Sequence, residues 1–391
     1  MYRSTVMLVG SAMLLWTAAA QPAPTTEERV DILMEEVERL KAEVARGGNA
    51  DSRLADNGRT TLGGYGELHY NNLDSKKEFD FHRFVLFFNH RFSDRIRFFS
   101  ELEMEHAWVK DTQSGAASKG EVELEQAFIE FDLSRNHRAQ AGLFLVPVGI
   151  LNETHEPPTF YGVERNPVET NIIPSTWWEA GAGLKGELPG GLHYDLTATS
   201  GLKIATTGSS AYNIRSARQK DSNAPGDNLA YSGRLRWTAI PGVEVAGSLY
   251  HQEDLTQSAL GIAPISGTLG AAHTVISKGP FSVRALYARW HLSGGSDTVN
   301  PASGASSGSD IQYGWYVEPA FRLASQWGVF ARFSEWDNRA GHANTSNTIK
   351  RQTDVGLNYW PHPQVVVKFD VQNQEGANND DGFNLGIGYM F

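Results

Sequence analysis

Residues 149–175, GILNETHEPPTFYGVERNPVETNIIPS, gather charge on a stiff backbone. Glu153, His155, Glu156, Glu164, Arg165 and Glu169 supply the charge, while Pro157, Pro158, Pro167 and Pro174 restrict the chain. Fixed charges on a stiff loop can narrow a water-filled path and sort ions by sign. A second acidic group recurs at every other residue: Glu101, Glu103 and Glu105, then Glu121, Glu123 and Glu125. Basic candidates lie elsewhere: Arg83, Arg97, Arg234, Arg236, Arg322, Arg332 and Lys368. An acidic wall facing a basic wall sets up a transverse field, the arrangement of a general diffusion pore with modest selectivity. A dedicated phosphate site needs several converging cations to offset the dehydration of the ion. The plain alternatives are an ordinary outer loop and a solvated acidic face.

Catalytic and cofactor patterns are weak. Gly181-x-Gly183-x-x-Gly186 matches a dinucleotide fingerprint, but it sits in a strand that leads to a hairpin turn, with no helix to hold a phosphate. Its glycines are expected to make room for the 149–175 insertion. Gly304-x-Ser306-x-Gly308 matches a nucleophile elbow but lies in a Gly/Ser-rich loop. The 12 histidines show no His-Glu-x-x-His spacing, so no metal site and no cofactor are expected. A net charge of −11 argues against a nucleic-acid partner.

The elements that must position these charges are strands. Phe383, Leu385, Ile387, Tyr389 and Phe391 fall at every second place in the last stretch. An apolar terminal strand invites aggregation unless it pairs, and a membrane barrel pairs it with its own first strand. Period two runs from about residue 60 to the end, and sixteen strands are predicted: 60–72, 78–93, 95–109, 120–134, 137–148, 176–189, 192–202, 228–240, 243–255, 267–279, 281–292, 310–324, 327–338, 348–361, 364–376 and 380–391. Short turns such as Ser93-Asp94, Pro241-Gly242 and Pro361-His362-Pro363 alternate with long polar connections at 110–119, 149–175, 203–227, 256–266, 293–309 and 339–347. Short periplasmic turns alternate with long outer loops in outer-membrane barrels. The 391 residues suit one barrel at about 20 residues per strand and connection.

One hairpin shows two faces. Phe84, Leu86, Phe88, His90 and Phe92 are expected opposite Ile96, Phe98, Ser100, Leu102 and Met104, facing lipid or a neighbouring subunit. Arg83 and its alternates are expected to face a wet lumen together with Glu101, Glu103 and Glu105. Trp108, Trp177, Trp178, Trp237, Trp327, Trp336, Tyr359 and Trp360 lie near strand ends, where interfacial rings belong.

The start of the chain is organised differently. Residues 1–20 read as a signal peptide: Arg3, an apolar run from Val6 to Trp16, then Ala18-Ala19-Ala20. Residues 21–46 read as a helix, with Val30, Leu33, Val37, Leu40 and Val44 on an a/d seam. It is expected to form a short periplasmic coiled coil that reinforces an oligomer held by other contacts. Residues 47–59 read as a linker, and 60–391 as the barrel.

The run Gly142-Leu-Phe-Leu-Val-Pro147-Val-Gly149, then Asn152-Glu-Thr-His155-Glu-Pro-Pro158, then Ile173-Pro-Ser-Thr-Trp177 and Glu179-Ala-Gly181 resembles the phosphate-selective porin O and P family. The N-terminal coiled coil and terminal Phe391 resemble it too. The resemblance implies a trimeric, sixteen-stranded porin of a Gram-negative-type outer membrane whose third outer loop constricts the pore. The arginine ladders and lysine cluster of the family's phosphate-selective members have no aligned counterpart here.

The expectation is therefore an all-β, 16-stranded antiparallel transmembrane barrel behind a short coiled-coil helix. It forms a homotrimer in outer-membrane lipid and passes small hydrophilic solutes and ions by passive diffusion. Anion or phosphate selectivity is the runner-up; a lipid-hydrolysing barrel and an adhesin are the readings from other classes.

Overall fold

The computed structural model describes residues 58–107, 120–293, 308–377 and 379–391. The signal peptide, the coiled-coil helix, all but the last residues of the linker, Trp108 and Ser306 lie outside the described residues.

Sixteen strands form one closed antiparallel barrel. The first half comprises β1 (Thr60–Leu73), β2 (Lys77–Ser93), β3 (Ile96–Glu105), β4 (Val122–Asp132), β5 (His137–Leu145), β6 (Trp178–Leu188), β7 (Leu192–Thr199) and β8 (Ala230–Trp237). The second half comprises β9 (Val243–Gln252), β10 (Gly267–Lys278), β11 (Phe281–Leu292), β12 (Ile311–Ala324), β13 (Trp327–Asp337), β14 (Lys350–His362), β15 (Val365–Gly376) and β16 (Gly382–Met390). Each strand pairs with its sequence neighbours, and β16 closes onto β1 from Tyr65–Met390 to Leu73–Gly382. At the seam, Phe391 N–H donates to Gly64 and Gly64 N–H donates back, each at 2.9 Å. Closure leaves no edge strand with unpaired backbone.

The period-two pattern sets the two faces. On β15, Val367, Phe369 and Val371 are exposed outward, while Lys368, Asp370 and Gln372 are buried inward. On β16, Leu385 and Ile387 point out and Asn384 points in. The β2–β3 hairpin pairs Phe84 with Met104, Leu86 with Leu102 and Arg83 with Glu105. Its outer face is apolar, with Leu86, Phe88 and Leu102 exposed.

The interior is drier than an open aqueous lumen. Val146, Ile150, Ile172, Ile173 and Trp177 share a core with Leu202, Ile214, Tyr250, Leu269, Trp290 and Tyr316. That core lies between the inserted segments and the inner face of β9–β12. Four expected interfacial rings belong inside: Trp177, Trp178, Trp336 and Trp360 are buried. Parity along β13 and β14 turns Trp336 and Trp360 inward, whereas Trp177 precedes β6 and packs in the core of the insertion. Trp327 is exposed and packs on Tyr359 at 4.4 Å, on the outer side as expected, and Trp237 is half-buried.

Candidate functional site

The connection between β5 and β6 folds into the barrel. Asn152 ties its two ends together: its Oδ1 accepts from Trp177 N–H at 2.7 Å, and its Nδ2 donates to the carbonyls of Val146 (2.7 Å) and Trp177 (2.9 Å). Glu169 organises the interior of the segment. Its Oε1 accepts from the backbone of Ile150 (2.6 Å) and Leu151 (2.7 Å), and its Oε2 from Tyr316 Oη (2.8 Å) and Asn166 Nδ2 (3.1 Å). A carboxylate this buried persists because its oxygens are so fully hydrogen-bonded. Glu169 therefore supports the segment's shape and does not face open space, contrary to its sequence-based placement among the exposed loop charges.

The barrel wall holds the segment from several sides. Lys368 donates to Gly162 O at 2.8 Å and lies 3.6 Å from the Phe160 ring centroid. Asp370 accepts from Val163 N–H at 2.6 Å. Trp290 donates to Ile172 O at 2.8 Å, and Arg83 donates to His155 O at 2.8 Å. The wall also gives way where the segment approaches closely. A Cβ on Gly388 would stand 2.2 Å from Pro157 Cβ, and one on Gly386 would stand 3.0 Å from Val163 Cγ1. On β12, a Cβ on Gly314 would meet Val168 at 2.9 Å. The β6 glycines were the wrong ones to expect here: Cβ atoms on Gly181 and Gly183 would meet the neighbouring β7 strand.

The charged residues do not form two separated walls. Five of the seven cations pair with carboxylates on neighbouring strands or on the inserted segment. Arg83 binds Glu67 at 2.5 Å. Arg332 lies between Glu318 (3.3 Å) and Asp354 (2.8 Å). Arg234 bridges Asp195, at 2.8 Å, and Glu153. Arg97 reaches Glu130 at 3.0 Å and also Asp132. Arg236 is 3.8 Å from Glu244, and Arg322 stacks 3.4 Å from the Trp360 ring centroid. Glu101, Glu103, Glu125, Arg83, Arg332 and Lys368 are all buried, and of these Glu125 still borders the long-loop cavity. Neighbouring strands bring opposite charges together at cross-strand distance, which a linear reading of charge runs cannot show.

Two water-accessible chambers flank the segment. The long-loop side holds a cavity of about 390 Å³. Glu105, Glu121, Glu123 and Glu164 line it together with Arg165, Arg215, Arg218 and Lys220. Arg215 and Arg218 come from the β7–β8 connection, which the sequence reading treated only as a long polar loop. Arg215 donates to Ser175 O at 2.6 Å, and Arg218 donates to Thr176 O. Burial, then the nearby Arg218 and Arg165, pushes Arg215 down to about 10. Burial and then Arg83 lower Arg165 as well. Burial opposes the ionised form of Glu164, but His69 outweighs it and holds the carboxyl well below its usual range. Lys220 binds Glu121 at 2.7 Å and also Glu123; these bonds outweigh its burial and raise its pKa.

The short-turn side holds a larger cavity of about 790 Å³. Arg138, Lys185, Arg234, Arg236 and Arg284 line it against Glu153, Asp195 and Glu244. Glu153 thus sits on this side of the segment and Glu164 and Arg165 on the other, while the half-buried Glu156 lines neither cavity.

The fold also gathers residues far apart in the chain around histidines. His155 lies between Glu101 and Glu125, and His82 and His106 share Asp80 at 3.1 and 2.8 Å. Burial pushes the His155 imidazolium down, but the two carboxylates outweigh it and hold His155 at about 9. These groupings depend on strand pairing, so His-x-x-His spacing gives no hint of them.

The fold and its lining define a closed sixteen-stranded barrel with an apolar exterior, a charged interior and a segment folded across it. No family model matches the chain. A protein of Aquifex aeolicus (strain VF5), itself uncharacterized, is 28% identical over 355 residues, covering 85% of this chain and 80% of its own. Among solved structures, an anion-selective porin from Comamonas acidovorans superposes with a TM-score of 0.57 at 10% identity, covering 85% of this chain and 99% of that one. OmpT of Vibrio cholerae gives 0.56 at 8% identity, covering 85% and 97%. The outer-membrane channel DcaP of Acinetobacter baumannii gives 0.54 at 13%, covering 85% and 97%. At such identities the likeness shows the shared barrel fold.

Proposed function

We propose that the chain is an outer-membrane porin that lets small hydrophilic solutes and ions diffuse passively. One observation carries this reading: the barrel is apolar outside, and inside it two charged chambers lie on opposite sides of the 149–175 segment. An apolar exterior around a closed hydrogen-bonded wall is what a bilayer demands of a strand-built span. The solved structures of the same fold include an anion-selective porin and an outer-membrane channel, and these support the same class.

In this reading the 149–175 segment is the constriction, with Glu153, Glu156, Glu164 and Arg165 at its faces. Residues 1–20 are the export signal, and residues 21–46 lie in the periplasm and reinforce a homotrimer. Both termini lie on the short-turn side. Charges of both signs in each chamber favour a general pore with weak selectivity.

Anion preference is the second reading. It rests on the short-turn chamber, where Arg138, Lys185, Arg234, Arg236 and Arg284 outnumber Glu153, Asp195 and Glu244. A phosphate-specific pore needs more converging free cations than these carboxylates leave.

Liposome swelling tests the function. Vesicles containing the protein should swell in small sugars and amino acids, at rates that fall with solute size. Swelling no faster than in empty vesicles would reject the porin reading.

A further inference from the structure

His155 of the inserted segment stands against Glu101 of β3 and Glu125 of β4, at distances longer than those of tight ion pairs. His155 Nε2 lies 3.4 Å from Glu101 Oε1 and 3.7 Å from Glu125 Oε2. Charge-assisted hydrogen bonds are shorter, about 2.7–2.9 Å. His155 Nε2 and Glu125 Oε2 are buried and have no hydrogen-bond partner. All three residues are at most 3% exposed, and their three donor atoms lie within 4.8 Å of one another. Unpaired buried polar atoms are costly, so two of them converging beside the Glu101 carboxylate oxygen need a cause.

The surroundings resemble an outer coordination shell. His155 Nδ1 lies 3.1 Å from Asn152 O, which can only accept, so Nδ1 carries the proton and Nε2 is aimed at the carboxylates. Gln126 holds Glu101 Oε2 at 2.6 Å, and Tyr65 Oη donates to Glu101 Oε1 at 3.1 Å. Such partners fix ring orientation and carboxylate rotamer at metal sites. Glu101, Glu103 and Glu125 are buried together, and the nearby Arg83 is engaged by Glu67 at 2.5 Å while standing 3.9 Å from Glu103. Zinc bonds of about 2.0–2.2 Å at tetrahedral angles place neighbouring donors about 3.3–3.6 Å apart. The observed spacings of 3.4 and 3.7 Å are close to that.

We infer that Glu101, Glu125 and His155 form a binding site for a divalent transition-metal ion of the zinc type. Nε2, Oε1 and Oε2 are the donors, and a fourth position is open to water. Binding displaces the Nε2 proton to solvent. The ion links β3 and β4 to the inserted segment at its Asn152–Glu156 stretch. The site is structural, and it pins the segment to one wall.

The test uses the full chain purified in detergent and stripped with a chelator. All samples carry His82→Gln, which removes the rim group formed with Asp80 and His106. Zinc is titrated by calorimetry, and cobalt(II) is followed by its visible absorption. The expected result is one zinc per chain and a cobalt spectrum of low-coordinate nitrogen–oxygen type. Glu125→Gln and His155→Gln should each weaken zinc by well over tenfold, since losing even an outer partner costs about that much. Folding of each variant is read from the faster gel mobility of the unheated barrel. Should His155→Gln fail to fold, Glu125→Gln, which leaves the Asn152 contact intact, decides. No zinc bound by the parent, or undiminished zinc in the folded variants, overturns the site.

Discussion

Asn152, an uncharged residue, ties the neck of the inserted segment together. Its amide spans the two ends of the insertion with three hydrogen bonds of 2.7–2.9 Å to Val146 and Trp177. Asn152→Ala leaves the buried Trp177 N–H without its acceptor, at about 1–3 kcal/mol for such a group, while the carbonyls of Val146 and Trp177 keep bonds from the N–H of Val148 and Val146. The variant should therefore unfold more easily by about 1–3 kcal/mol in denaturant titration, and a loss below about 0.5 kcal/mol would show that the neck is held elsewhere. The glutamates act differently. Glu153 binds Arg234, and Glu164 accepts from Asn71 at 2.9 Å. Replacing Glu153, Glu156 and Glu164 with Gln frees these partners and removes three negative charges from the segment. Selectivity in a salt gradient should move toward anions, and an unchanged reversal potential would remove the loop charges from the ion path. The identity of these residues could be read from their density in the sequence. The burial of Glu101, Glu103, Glu125 and Glu169 could not, because it depends on partners such as His155 and Tyr316 tens of residues or more away.

At the scale of elements, period two predicted strands well. The reading of 281–292 coincides with β11, and most other ends fall within about three residues. Parity in the last strand holds too, with Leu385 and Ile387 outward and Asn384 inward. It failed where an element packs on something other than its neighbours in the sheet. Gly386 and Gly388 read only as gaps in an apolar alternation, yet they admit Val163 and Pro157 of the insertion. Gly388→Ala should destabilise the barrel by about 1–3 kcal/mol, because its Cβ would stand 2.2 Å from Pro157. Gly247→Ala on β9 meets nothing within 4 Å and should change stability by less than about 0.5 kcal/mol. Equal thermal shifts in the two variants would contradict the close approach of the segment to β16. The arginines of the β7–β8 connection were missed for a related reason. Arg215 and Arg218 sit in a polar loop whose sequence does not show that Leu202, Ile214 and Ala217 anchor it in the barrel core.

At the scale of the molecule, closure follows from the terminal strand. Phe391 and Gly64 exchange hydrogen bonds, and the apolar residues beside them on β16 face outward. What the alternation of strand residues did not reveal is how much of the barrel is filled. The core built around Trp177, Tyr250 and Trp290 closes part of the interior, so the proposed ion path has only the space beside it. Conductance should therefore be small for a barrel of this strand number. The most direct test is single-channel recording of the purified protein in a planar bilayer under a potassium chloride gradient. Discrete steps with a weak reversal potential, little changed by added phosphate, are predicted, and grouping of the steps in threes would support the trimer. A bilayer that stays silent with folded protein inserted would contradict the claim that a continuous aqueous path passes the 149–175 segment.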